Sequence, residues 1–319
     1  MKILIHAPSD TVAGGCESIH QFCDALNENF ETYICYHHNP NSQIPKKFEI
    51  YNIKKSKYFD DPSTIHIIPE SAVKYFYNKI IRGVKVIYWL SVDNYLGLKD
   101  YNPLYKLIRY IKSFKNRISL RKLNKCYHLS QSEYANLFLT KKKISYFFIG
   151  DYINQNYKKL DIDHSKKENI VIYNPRKGMH LTKKIMNKSK FKFIPIINMN
   201  NLEIIELMKI SKIYIDFGRF PGRDRIPREA VLSDNIIIIG KRGSGSNDLD
   251  FPIQKKYKIN IKSSNFAEKV TQMIEYSFNN YNDSLADFKN FKNQLIDEKN
   301  NFKIRAQESL KDLISKIDN

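Results

Sequence analysis

The sequence predicts an α/β protein built as two Rossmann-like, doubly wound parallel-sheet domains facing a cleft. Three observations predict it. Short apolar runs of strand length alternate with segments of helical spacing along most of the chain. The 319 residues, 42% of them hydrophobic, are enough for about two separate cores. Loops bearing glycine, arginine or lysine follow several of the apolar runs, at the strand ends where such sheets bind ligands.

Met1 to Ala7 reads as a first buried parallel strand. A turn with Pro8, Gly14 and Gly15 follows. Then Glu17 to Asn27 places Ile19, Phe22, Cys23 and Leu26 at helical spacing. Further strands are expected at Thr32–Tyr36, Ile65–Ile68, Val84–Leu90, Cys126–Ser130 and Ser145–Ile149. Polar residues without periodicity mark a linker at 156–168, after an N-terminal domain of residues 1–155. A C-terminal domain at 169–284 contributes strands at Asn169–Tyr173, Phe191–Ile197, Lys212–Asp216 and Asn235–Ile239. Residues 285–319 form a helical segment whose Phe288, Phe291, Leu295, Phe302, Leu310, Leu313 and Ile317 mark one apolar face.

Composition narrows the function classes. No apolar run approaches the roughly 20 residues of a membrane span, and a strand pattern begins directly after Lys2, so no secretory signal is expected. The four cysteines lack C-x-x-C spacing, which argues against a zinc site or disulfide framework. A cytoplasmic setting fits. The net charge is +20, and residues 1–150 hold half of it, with 22 Lys and Arg against 12 Asp and Glu. A charge spread over both halves suits work near something anionic: a membrane surface, a nucleic acid or phosphorylated substrates. Leu104 to Lys125 adds a basic amphipathic segment able to lie on anionic lipid, peripheral to the membrane.

The most informative stretch is Asp216 to Glu229, DFGRFPGRDRIPRE. Four arginines, Arg219, Arg223, Arg225 and Arg228, stand among Asp224 and Glu229. Gly218 and Gly222 permit tight turns, and Pro227 suits a first helical turn. Such a loop, between strand and helix, fits a phosphate-bearing ligand. Asn174, Arg176 and Lys177 follow another strand and would neutralise a diphosphate. Ser244, Gly245 and Ser246 offer small donors after a third. Glu229 suits a ribose diol or an ion pair with Arg225. Gly14 and Gly15 allow close backbone approach to a phosphate or sugar. Glu17 and His20, three apart, share a helix face and could serve as base or orient a hydroxyl. Asp93, after the strand ending at Trp89, is an alternative base. Trp89 could stack on a sugar or belong to the core.

These residues resemble the GT-B glycosyltransferases. Gly14-Gly15-Cys16-Glu17 is similar to the Gly-Gly-x-Glu loop of retaining enzymes of the glycogen synthase and mannosyltransferase type. Asn174-Pro-Arg-Lys-Gly178 resembles their Arg/Lys phosphate clamp, and Glu229-Ala230 the second glutamate of their E-x7-E motif. The first glutamate would fall at Pro221 and is missing, so neither sugar identity nor a retaining outcome carries over. The whole pattern is closer to bacterial surface-polysaccharide transferases. The resemblance implies a nucleotide-sugar donor as substrate, a glycan or lipid-linked glycan acceptor, no metal or other cofactor, and a C-terminal helix crossing back to the first domain. Two alternatives stand beside it: a non-catalytic binder of nucleic acid or another polyanion, and a sugar-nucleotide epimerase on the same frame. Against nucleic acid, no known nucleic-acid module is visible.

Overall fold

A computed structural model describes residues 1–98, 117–158 and 160–318. The chain forms two compact units: Met1–Tyr152 with Lys299–Asn319, and Ile153–Glu298.

Unit 1 contains, in order, β1 (Lys2–Pro8), α1 (Gly14–Leu26), β2 (Thr32–His37), β3 (Thr64–Pro69), α2 (Val73–Phe76), β4 (Val84–Trp89), α3 (Val92–Tyr95), α4 (Leu120–Leu123), β5 (Tyr127–Ser130), α5 (Glu133–Lys141) and β6 (Phe147–Phe148). The strands pair in parallel in the order β2-β1-β3-β4-β5-β6. Ile3, Leu4 and Ile5 of β1 are wholly buried, which is why this strand reads as a continuous apolar run. Most of the basic segment 104–125 lies outside the described residues, including Lys106, Arg109, Lys112 and Lys115.

Unit 2 contains β7 (Glu168–Tyr173), α6 (Met179–Met186), β8 (Lys192–Pro195), α7 (Asn201–Ile210), β9 (Ser211–Asp216), α8 (Arg225–Leu232), β10 (Ile236–Gly240), β11 (Lys258–Ile259), α9 (Phe266–Asn279), α10 (Tyr281–Ala286) and α11 (Lys289–Asp318), the last passing into residues of unit 1. Its strands are also parallel, in the order β11-β10-β9-β7-β8. α7 starts at a capping box, Asn200 accepting from the Glu203 amide and Glu203 from the Asn200 amide. Lys167 is buried under the ends of α7 and α8. Its ammonium donates to the carbonyls of Met208, Ser211 and Ser233 at 2.9, 2.8 and 2.7 Å.

The apolar face expected at the C-terminus is divided. Phe288, Phe291 and Leu295 lie in the core of unit 2, and Phe302, Ala306, Leu310 and Leu313 in that of unit 1. Full burial of such side chains stabilises by roughly 1.5–3 kcal/mol each. The single expected helix is broken between Ala286 and Lys289. Among the described residues no helix is long and apolar enough to cross a membrane.

Candidate functional site

In unit 2 the chain winds outward from β7 in both directions, so the sheet has a topological switch point between β7 and β9. The loops after these strands meet there. Asn174 accepts from the Arg176 amide at 3.0 Å, closing the turn that follows β7. Gly178 ends it in the left-handed region, φ 61°, and begins α6. A Cβ on Gly178 would lie 2.6 Å from the Gly218 nitrogen, and one on Gly218 would lie 2.5 Å from Lys177 Cβ. The two loops therefore touch backbone to backbone, which only glycine permits.

Asp216 ends β9. It is buried, which pushes its carboxyl up to about 6; Lys177 nearby acts in the opposite sense. It accepts from the Gly218 amide at 2.8 Å and the Tyr214 hydroxyl at 3.1 Å. Lys177 Nζ lies 2.8 Å from Asp224 Oδ1. Asp224 is the N-cap residue of α8, yet its side chain makes no capping bond to the helix. Arg176 is exposed beside this pair. Arg225 Nε and Glu229 Oε1 are 3.8 Å apart on the first turns of α8.

The third loop follows β10. Ser244 donates its amide to Phe220 O (3.0 Å) and its hydroxyl to Gly222 O (2.5 Å). The Ser246 hydroxyl donates to Gly243 O at 2.7 Å. Gly245 packs on the Phe220 ring. The expectation of serine donors for phosphate oxygens is corrected for Ser244: its hydroxyl is buried and committed to stapling this loop to the arginine-rich one.

Arg228 needs the same correction. It has no exposed surface. Its guanidinium donates to the carbonyls of Asp224 (3.1 Å) and Arg223 (2.9 Å) and meets Glu298 Oε2 at 3.3 Å. Arg223 pairs with the other oxygen of Glu298 and donates to Asp250 O at 3.5 Å. Arg228 thus shapes the loop from inside.

Unit 1 has its switch point between β1 and β3. α1 begins at Gly14 rather than at Glu17, so Gly14 and Gly15 are its first turn and not a free loop. Glu17 is buried, accepting from the Tyr51 hydroxyl (3.0 Å) and pairing with Lys47 Nζ (2.9 Å). His20 is also buried. Its Nδ1 lies 2.6 Å from Cys16 O and must donate, so Nε2 accepts from the Tyr36 hydroxyl at 2.8 Å. Burial lowers this imidazole to about 4. The two residues do share a helix face, as their spacing predicts, but it is the core face, where His20 is no base open to an acceptor. Asp93 lies near the start of α3 and accepts from the Tyr134 hydroxyl at 2.9 Å. Trp89 is fully buried, donating to His128 Nδ1 at 3.0 Å, so the sugar-stacking role is excluded.

Three acidic residues were not singled out from the sequence as site residues: Glu70, Asp216 and Glu298. Glu70 directly follows β3 and accepts from the Leu90 amide at 2.9 Å; burial pushes it up to about 7. Its signal is a carboxylate ending the apolar run Ile67-Ile-Pro69, as Asp216 ends Ile213-Tyr-Ile215. Glu298 is betrayed by helical spacing: it sits three after Leu295 and four before Phe302, on the apolar face. Among the described residues no group of three His, Cys, Asp or Glu is placed to hold a metal ion.

Two parallel, doubly wound sheets with anion-competent loops at a switch point define the class: the fold is that of the GT-B glycosyltransferases. Solved structures agree. HepE of Anabaena, determined with UDP and glucose, matches with a TM-score of 0.65 at 11% identity over 99% of each chain. WaaG, a glycosyltransferase involved in lipopolysaccharide biosynthesis, matches at 0.58 and 10% over 94% of this chain and 98% of its own. TarM of S. aureus, determined with fondaparinux, α-GlcNAc-glycerol and UDP, matches at 0.55 and 14% over 80% of this chain, which spans 56% of TarM. No protein-family model matches the sequence, and no curated protein matches it.

Proposed function

We propose that the protein is a glycosyltransferase that moves a sugar from a nucleotide-sugar donor to a growing surface glycan, of the capsule, O-antigen or lipooligosaccharide kind. The observation that carries this reading is the convergence of three loops at the unit 2 switch point, in a fold shared with an enzyme that holds UDP. Arg176 and Lys177 would take the diphosphate, together with Arg223, Arg225 and the uncapped first amides of α8. These cations stabilise the leaving nucleotide as the glycosidic bond breaks. Glu229, beside Arg225, suits the ribose hydroxyls. On the acceptor side, unit 1 offers Glu70 and Asp93 near the carboxyl ends of β3 and β4. Glu70 is buried, and that burial pushes its carboxyl up to about 7, a value that would suit a general base once an acceptor reached it. The protein would work in the cytoplasm, with segment 104–125 drawn to an anionic membrane surface.

A thermal-shift panel of nucleoside diphosphates and their sugar esters tests the reading, because a ligand that binds only the folded state must raise the melting temperature. Arg225→Ala should weaken the best diphosphate by roughly 1.5–3 kcal/mol, the range of a charge-assisted hydrogen bond, whereas Lys311→Ala, at an exposed position of the C-terminal helix, should not. A panel that shifts nothing would remove the assignment.

A further inference from the structure

Glu298 stands out because its chemistry conflicts with its place. It projects from the apolar face of α11, in register with Leu295 and Phe302, and its side chain is only 8% exposed. Burying a carboxylate costs several kcal/mol unless it is paired. Here each oxygen meets a different guanidinium of the arginine-rich loop: Oε1 that of Arg223, Oε2 that of Arg228. Arg228 also donates to the carbonyls of Arg223 and Asp224, the two residues that lead into α8. Turning both carbonyls inward fixes the backbone at the entry to the helix. It also leaves the Asp224 carboxylate on Lys177 instead of on the α8 amides.

We infer that Glu298 is a positioning residue for the diphosphate site, holding the arginine-rich loop in its binding shape through Arg223 and Arg228. The inference rests on the nucleotide-sugar reading of that loop. Without the carboxylate, two buried guanidiniums repel each other, Arg223 leaves its place and the Arg228 clamp on the loop backbone loosens. The loss should therefore fall on the phosphate contacts and spare the contacts to the nucleoside.

Calorimetry of wild type and Glu298→Gln with UDP, ADP and GDP, each against its own nucleoside, tests this. The isosteric amide keeps the volume and removes the charge. Expected is at least a tenfold weaker affinity for the diphosphate that binds wild type, with nucleoside affinity unchanged, measured on protein shown to be folded by circular dichroism. A merely structural residue would lower the melting temperature and leave that diphosphate-to-nucleoside ratio alone, and this outcome overturns the inference. If Glu298→Gln does not fold, Arg228→Met, which leaves a neutral Arg223–Glu298 pair, carries the same expectation. Failure of both to fold makes the cluster structural only and also overturns it. If wild type binds none of the three diphosphates, the functional reading itself falls, and the inference with it.

Discussion

Units 1 and 2 share the strand order around their switch points but bury different polar groups. Unit 1 buries His6, His20, His37, His66 and His128, five of the chain's eight histidines, while His164 and His180 of unit 2 are exposed. Unit 2 instead buries long basic side chains, Lys167, Arg228 and Lys258, against backbone carbonyls and carboxylates. One scaffold thus holds its interior polar groups in two ways. Rings kept neutral need only hydrogen-bond partners of the right sense, whereas buried cations need an acceptor for nearly every donor. The first arrangement is sensitive to acid and the second is tied to partner geometry.

The largest expected effect is acid unfolding confined to unit 1. Burial lowers His20, His37 and His128 to about 4, and lowers His6 and His66 as well, the neighbouring Asp60 opposing the shift at His66. A histidine whose folded pKa is depressed contributes stability that is present above about 6.5 and is lost as pH falls toward 4. At up to about 3 kcal/mol each, three such shifts rival the roughly 5–15 kcal/mol stability of a domain. The single tryptophan, Trp89, sits in the core of unit 1 on His128, so its fluorescence reports on that unit. On titration from pH 7 to 4 the fluorescence change should precede loss of far-ultraviolet circular dichroism. Coincident transitions would erase the contrast between the units.

A second test sharpens it from the other side. Burial lowers Lys167 to about 7, with Lys292 nearby acting in the same sense and Asp234 opposing. Between pH 7 and 10 the unfolded chain keeps a proton that the folded one sheds, so stability of unit 2 should rise with pH. The slope approaches about 1.4 kcal/mol per pH unit. Lys167→Met should flatten that slope in urea titrations at pH 7.5 and 9.5, whatever it does to stability at a single pH.

The smallest effect expected is at Glu70. Its folded pKa is raised, so its contribution is present below about 4.5 and lost as pH rises through about 7. Glu70→Gln should therefore stabilise unit 1 by about 1–3 kcal/mol at pH 8 and by progressively less toward pH 6. Equal melting shifts at both pH values would show that the carboxyl is not held protonated by its burial.

These contrasts mark how far the sequence is legible. The sheets are, because buried parallel strands such as Ile3–Ile5 and Ile236–Ile239 are unbroken apolar runs that no surface segment imitates. The loops that carry the proposed site are also found, since glycine and proline betray their turns. The direction of individual side chains is not legible. Arg225 and Arg228 are equivalent in the string, yet one lies beside Glu229 and the other is closed inside on a carboxylate seventy residues away in the chain. Glu17 and His20 fail for a related reason. Helical spacing places them on one face but does not say which face, and their partners, Tyr51, Lys47 and Tyr36, come from segments that no local pattern connects.

The bare contact between Gly178 and Gly218 has a consequence for descent. A side chain at Gly178 must displace the Phe217–Gly218 backbone, and one at Gly218 must displace Lys177. The constraint falls on these two positions whatever the charges the rest of each loop carries. A lineage can replace one glycine only by separating the two loops, which would open the rim at the switch point. Drift at these two sites is coupled through the close approach of the two loops, so divergent descendants should have retained both glycines or rebuilt both loops.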